Sequence, residues 1–323
     1  VSSARRRHNH EFAAALLFLL PNFLGFVVFT VGAVGFSLVV SFSNWNLQRT
    51  VPFAWVGLRN YAELVRDPDF WLYFVNTGYL MLGLPLAIAG SLCLALLLNR
   101  KLGGIVVYRT LFYLPTFTSG VALLILWKAL YNPEYGPINA ALEWALNALG
   151  MTGVDPPAWL LSTRNLLGLE VEQVRLALRQ WGLGARDAII IMGIWVGIGG
   201  NNMLLYLAGL SNIPPELYEA SQIDGAGSWS TFRHVTWPQL APTTFFIVVM
   251  SFIGGLQGGF EQARVMTGGG PAGTTTTLTY YIYNKAFEEF EIGYSCSIAW
   301  VLFVVIFAVT LVNWRFGNRE LND

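Results

Sequence analysis

IPPELYEASQIDGAGSWSTFRHVTWPQLAP, residues 213–242, lies between two apolar stretches that could be joined by a turn of only a few residues. Pro214 and Pro215 suit the first turn of a helix, where a missing amide hydrogen costs little. Glu216 and Glu219 follow, near the positive end of the helix dipole. Gly225 is a natural stop, since glycine tolerates the left-handed conformation found at helix ends. Ser228 then suits the cap of a second short helix, and Pro238 its far limit. The spacing therefore predicts helix, tight turn, helix. Leu217, Ala220, Ile223, Trp229, Phe232 and Val235 are costly to leave in water, so the pair is expected to dock a partner. A helix lying on a membrane surface usually carries several Lys or Arg, and Arg233 is the one basic residue of that kind here.

Outward from this segment the chain is apolar. Of its 323 residues 54% are hydrophobic and 12% charged, too little charge to cover a soluble protein of this size. No Asp, Glu, Lys or Arg occurs within 12–48, 70–99, 110–127, 188–215, 234–260 or 292–314. A spanning helix takes roughly 20 apolar residues. Spans are thus predicted at 12–41, 71–98, 108–130, 188–210, 239–259 and 292–314. Buried core helices, the other reading of such windows, run shorter and keep a polar stripe. The fold class is an all-α membrane protein of six transmembrane helices with a helix-turn-helix between the fourth and fifth.

Charge placement orients the chain. Arg5, Arg6 and Arg7 precede the first span, and Arg100, Lys101 and Arg109 follow the second, so both regions are expected in the cytoplasm. Six spans return the C-terminus to the same side, beside Arg315 and Arg319, and segment 211–238 faces the cytoplasm too. The first apolar stretch is too long for a signal-peptide core and reads as a retained span. Residues 1–69 hold the N-terminal tail, the first span and an outer segment with Trp45, Trp55 and Tyr61. Residues 70–314 form a core with an outer insertion at 132–187, and 315–323 a cytoplasmic tail. Within the insertion, 138–149 and 170–181 read as short amphipathic helices.

Pro85 and Pro115 fall inside the second and third spans, where proline favours a kink. The run Gly268, Gly269, Gly270, Pro271 has no following GKS or GKT and reads as an outer turn rather than a phosphate loop. Cys93 and Cys296 lie in spans and read as packing residues. Their place in spans argues against a disulfide framework or metal site, and His8, His10 and His234 are scattered with no paired carboxylates, which argues against a membrane enzyme. A net charge of zero gives no reason to expect nucleic acid.

Polar residues inside spans are expensive and often line a pathway. Asn201, Asn202, Ser251, Gly255, Gln257 and Phe260 are the candidates, with Asn76 and Thr77 behind them. Amides hydrogen-bond hydroxyls, and aromatic faces pack on sugar rings, so an uncharged polyol or sugar fits. The same amides serve helix packing equally well. A self-contained secondary transporter or channel is the alternative function. It needs an ion-coupling residue or an inverted repeat of broken helices, and neither is evident in the sequence.

Glu219, Ala220 and Ser221, then Gly225, then Val235 and Pro238 resemble the EAA signature of binding-protein-dependent ABC importer permeases. The chain departs from it at Ser221 for Ala, Val235 for Ile and Trp237 for Leu, with the spacing intact. YNPEYGPIN at 131–139, YLAGLSNIPPELYEASQIDGA at 206–226, and 266–294 look like the maltose-type sugar permeases. The stretch 165–184 is longer than is usual in that family. The resemblance implies the type I ABC importer permease fold and coupling through Glu219, Ala220, Ser221, Asp224, Gly225, Ala226 and Pro238. It also implies ATP-binding ABC subunits carrying ATP and Mg, a second related permease, an extracytoplasmic solute-binding protein and a sugar substrate. The chain itself would bind no cofactor and catalyse nothing. It would sit in the lipid of a bacterial or archaeal cytoplasmic (inner) membrane, with both termini in the cytoplasm.

Overall fold

The computed structural model describes residues 16–48, 51–100, 103–118, 120–151, 153–169 and 181–320. In chain order its main helices are α1 (Leu16–Val40), α2 (Arg59–Arg66), α3 (Pro68–Leu98), α4 (Ile105–Phe117), α5 (Gly120–Leu130), α6 (Pro137–Ala148), α7 (Ala185–Ser211), α8 (Pro215–Ile223), α9 (Ser228–Gln257), α10 (Leu278–Tyr283) and α11 (Ile292–Glu320). Among the described residues, extended pairing is confined to isolated bridges between Ser43 and Trp55 and between Asn165 and Trp181. Among the described residues five helices are long and apolar enough to cross a membrane, and α4 with α5 makes a sixth where the bent pair is counted as one span. Six predicted spans thus have six counterparts.

The third is not the continuous helix expected over 108–130. α4 and α5 meet at a bend of 97°. Pro115 lacks the amide that would reach the Leu111 carbonyl, and Thr118 leaves the helix in extended geometry, ψ 137°. The second span keeps its course through Pro85 by tightening into a 3₁₀ turn at Met81–Gly83 just before it. Within α7 the helix is interrupted at Gly199 and Gly200, where a Cβ on Gly199 would stand 2.2 Å from the Phe112 carbonyl oxygen of α4. Only glycine permits that approach. The expected helix at 138–149 is present as α6; the one at 170–181 falls on residues 170–180, outside the described residues, as do Arg5, Arg6 and Arg7.

The chain divides into two compact units. One comprises Val1–Arg66 and Ile282–Val301. Its α1 leaves large apolar side chains such as Phe18 and Phe29 exposed, as lipid contact requires. Asn60 ties the following segment together, donating to the carbonyls of Ser41 and Ser43 at 2.8 and 2.9 Å. Lys285 pairs with Glu289 and Glu291. Its burial alone would lower its pKa, but the two carboxylates outweigh that and hold it above the ordinary lysine value.

The other unit comprises Asp67–Tyr281 and Leu302–Asp323. Its α3 and α7 pack through small residues: a Cβ on Gly83 would meet Ile190 at 2.9 Å, and one on Gly90 would meet Ile198 at 2.6 Å. One core joins Leu94 and Leu98 of α3, Tyr206 and Leu210 of α7, Ile213 just beyond α7, and Leu240 and Ile247 of α9. A second joins Trp127, Tyr131, Trp159, Ile189 and Met192. Burial holds the Tyr131 phenol well above the usual tyrosine range, and its hydroxyl donates to the Ala188 carbonyl at 2.9 Å.

Candidate functional site: a docking turn and a membrane cleft

α8 begins at the proline pair, with Pro214 at its cap, Pro215 inside the first turn and Glu216 following. It ends where Gly225 turns left-handed at φ 73°. There the Ala226 amide donates back to the Ser221 carbonyl at 2.9 Å, satisfying a group the helix end would otherwise orphan. The first helix and its turn are as the sequence predicts. The second is not a separate short helix. Gly227, rather than Ser228, precedes α9 and makes no side-chain cap, and α9 runs on through Pro238 into the fifth span. Proline at 238 has no amide for the α-helical bond, and the chain absorbs this by widening into a π-turn at Phe232–Thr236, with the Trp237 amide donating to the Phe232 carbonyl. A proline that ends a free helix is carried here because Phe232 and Val235 before it and Leu240 after it pack on the core.

One face of this element is anchored. Tyr218, Phe232 and Val235 pack on the core containing Leu98, Tyr206, Leu210 and Leu240. The Tyr218 and Thr236 hydroxyls lie 3.2 Å apart. Ser221, at the position where the signature carries alanine, is buried; its hydroxyl donates to the Tyr218 carbonyl at 2.8 Å and lies 3.3 Å from that of Thr231. Phe232 and Val235 are thus inward anchors, not the outward apolar residues expected. The opposite face is open: Glu219, Ala220, Asp224 and Pro238 are exposed, and Ala226 is half-buried. Ile223 and Trp229 are 86% and 72% exposed, with Trp229 stacked on Phe232 at 5.5 Å between ring centroids. Acid and large apolar surface therefore share one projecting face, clamped to three spans from behind.

In the same unit a cleft of about 270 Å³ lies among α3, α7 and α9. Met81, Gly83 and Leu84 line one side, which makes the 3₁₀ turn before Pro85 part of its wall. Ser251 and Gly255 of α9 line another, and Gln262 and Thr277 contribute polar atoms. None of the lining side chains is charged. Of the six candidate pathway residues, Ser251 and Gly255 are brought together here. Gln257 is exposed at the end of α9, and six residues on from Ser251 a helix has turned away from its face. Asn201 is exposed and accepts a hydrogen bond from the Tyr113 hydroxyl at 3.0 Å, which is helix packing; Asn202 is half-buried and absent from the lining. Phe260 stands edge-on to Tyr280 at 5.8 Å with the Arg264 guanidinium over its ring.

Sequence reasoning missed Gln262 and Thr277. Gln262 opens a π-turn, Gln262–Thr267, that gives no periodic signal, and Thr277 ends a threonine run that follows the glycine turn. The structure shows what that run does. Asn76 donates to the Gly273 and Thr276 carbonyls at 2.8 and 3.0 Å, and Thr77 accepts from the Leu278 amide at 3.0 Å. Arg186 donates to the Thr274 carbonyl at 2.9 Å and lies over the Tyr79 ring, while Tyr79 donates to Asp187 at 2.6 Å. The glycine and threonine loop is thus fastened to α3 and α7, with Thr277 at the cleft.

A helical membrane protein with an uncharged, largely apolar cleft that carries a few hydroxyls and one amide, and with a turn built on the spanning helices, has the build of a transport permease. The chain belongs to the family of binding-protein-dependent transport system inner membrane components, which it matches over residues 79–316. It is 33% identical to the probable ABC transporter permease protein YesP of Bacillus subtilis, over 94% of this chain and 90% of YesP. The arabinooligosaccharides transport system permease protein AraP of the same organism is 33% identical, over 95% of this chain and 89% of AraP. A bacterial alginate ABC transporter, solved in complex with an alginate pentasaccharide-bound periplasmic protein, superposes with a TM-score of 0.76 at 22% identity, over 97% of this chain and 96% of that one. The helical architecture is therefore that of the ABC importer permeases.

Proposed function

We propose that this permease carries an uncharged sugar or oligosaccharide through the cleft among α3, α7 and α9, after delivery by an external solute-binding protein. ATPase subunits, which bear the ATP and Mg, dock on the turn between α8 and α9; a second related permease completes the pathway, and this chain is not itself catalytic. The observation that carries the coupling reading is the exposed face of Glu219, Ile223, Asp224 and Trp229, backed by Tyr218, Phe232 and Val235 in the core. A load applied there reaches α9, whose 30 residues extend about 45 Å and bear Ser251 and Gly255 at the cleft. The basic clusters Arg5, Arg6 and Arg7 before the first span and Arg100, Lys101 and Arg109 after the second support a cytoplasmic position for this turn.

The sugar reading is supported by the uncharged, hydroxyl- and amide-bearing cleft and by the name of the AraP relative. Two experiments test the proposal. Glu219→Lys in the reconstituted importer should leave membrane insertion intact while uncoupling ATP hydrolysis from uptake; normal coupling in that variant refutes the docking role. Screening sugars against the purified binding protein should reveal one that raises its melting temperature, because ligand stabilises the folded state by mass action. A binding protein stabilised only by peptides or inorganic ions removes the sugar assignment.

A further inference from the structure

A second cavity, of about 340 Å³, opens in the same unit between the end of α5 and the loop that follows the π-turn Gln262–Thr267. Leu160, Met266 and Pro271 give it an apolar lining, and Lys128 and Asn132 are its polar residues on the α5 side. The exposed Lys128 ammonium reaches the Val265 carbonyl at 3.5 Å, the outer limit of a hydrogen bond, which leaves donors for an incoming acid. The cavity and the cleft have a wall in common. The π-turn presents Gln262 to the cleft and Met266 with Thr267 to the cavity; further along the same segment Pro271 faces the cavity and Thr277 the cleft. That wall is held by Asn76 and Arg186 through the carbonyls of Gly273, Thr274 and Thr276.

We propose that this cavity is a socket for the external solute-binding protein, taking an apolar side chain from a loop whose carboxylate pairs with Lys128, and that filling it displaces the 262–277 wall bounding the cleft. The proposal rests on the delivery and orientation argued above, which put segments 128–161 and 266–271 on the outer side. At about 340 Å³ the space is at the low end for small-molecule sites, about 300 to 1,000 Å³, and its one cation over an apolar floor suits a side chain better than a hydroxyl-rich sugar. A binding protein seated there would press on the segment that carries Gln262 and Thr277. Arrival of cargo and opening of the pathway would then be one mechanical event.

The test uses the whole importer in nanodiscs, with ATPase and second permease. The probe is the binding protein that stimulates ATP hydrolysis by the wild-type complex. A photoreactive benzophenone side chain placed at Ala158, which is exposed and lines the cavity, should cross-link to that protein. Ala158→Trp, which fills the space, and Lys128→Glu, which reverses its charge, should each raise the half-saturating binding-protein concentration about tenfold while the maximal stimulated rate is retained. Unchanged half-saturation in both variants overturns the socket, as does cross-linking only to a permease copy or to lipid. Should Ala158→Trp fail to assemble, Lys128→Glu on the exposed side decides alone. If no external binding protein stimulates the wild-type importer, the delivery reading falls and the socket with it; stimulation of the wild type with unaffected variants removes only the socket.

Discussion

Ser221 sits at the base of the docking turn with its hydroxyl shared between the Tyr218 carbonyl and Thr231. The hydroxyl is a tie between α8 and α9 that an alanine lacks, and its size is what the site tolerates. Ser221→Ala should therefore destabilise the assembled importer by no more than about 1 kcal/mol, the usual net worth of one hydrogen bond. Ser221→Leu should cost about 1 to 3 kcal/mol by wedging the two helices apart, with transport per ATP falling further than stability does. Thermal unfolding beside paired uptake and hydrolysis assays separates the two effects. At Gly225 the restraint is the backbone: at φ 73° a β-branched side chain is strained, so Gly225→Val should cost about 1 to 2 kcal/mol and loosen the turn. Wild-type amide exchange at Ala226 in that variant would show the turn to be indifferent to its glycine.

α9 is the element that most changes the reading of the sequence. The spans were legible, because long charge-free windows without a polar stripe favour membrane helices in a chain this apolar. The start of α8 and its glycine stop were legible too, since proline and glycine act on their own backbone. What could not be read was continuity. Pro238 has the local chemistry of a stop, yet the packing of Phe232, Val235 and Leu240 keeps the helix running and moves the strain into a π-turn. Pro115 has the same chemistry in the third span, and there the chain does break. Restoring the missing amide with Pro238→Ala should let Phe232–Thr236 relax towards α-helix, slowing exchange of those amides by about tenfold or more. The rotation this gives Trp229 should lower coupled transport. Of the six candidate pathway residues, Asn201, Asn202, Gln257 and Phe260 lie outside the cleft for a related reason: residue type suggested all six, whereas helix phase keeps only Ser251 and Gly255 at the cleft and a loop returning from far along the chain adds Gln262 and Thr277.

Across the larger unit, the loop at 268–277 depends on Asn76, about two hundred residues away in the chain. Asn76 is fully buried and serves two carbonyls of that loop, so Asn76→Ala leaves both unsatisfied and should cost about 2 to 4 kcal/mol. The signature of this loss is local. Exchange at 273–278 should quicken before the core of α3, α7 and α9 does, and uniform quickening instead would mean that the loop is not a separately fastened part. The docking face has one more consequence. Trp229 is exposed, stacked on Phe232, and placed where an ATPase would cover it. Its indole is thus a native optical probe: the emission lost in Trp229→Phe, read as a difference spectrum against the other tryptophans, should shift to the blue when the motor engages and return to the red when it lets go.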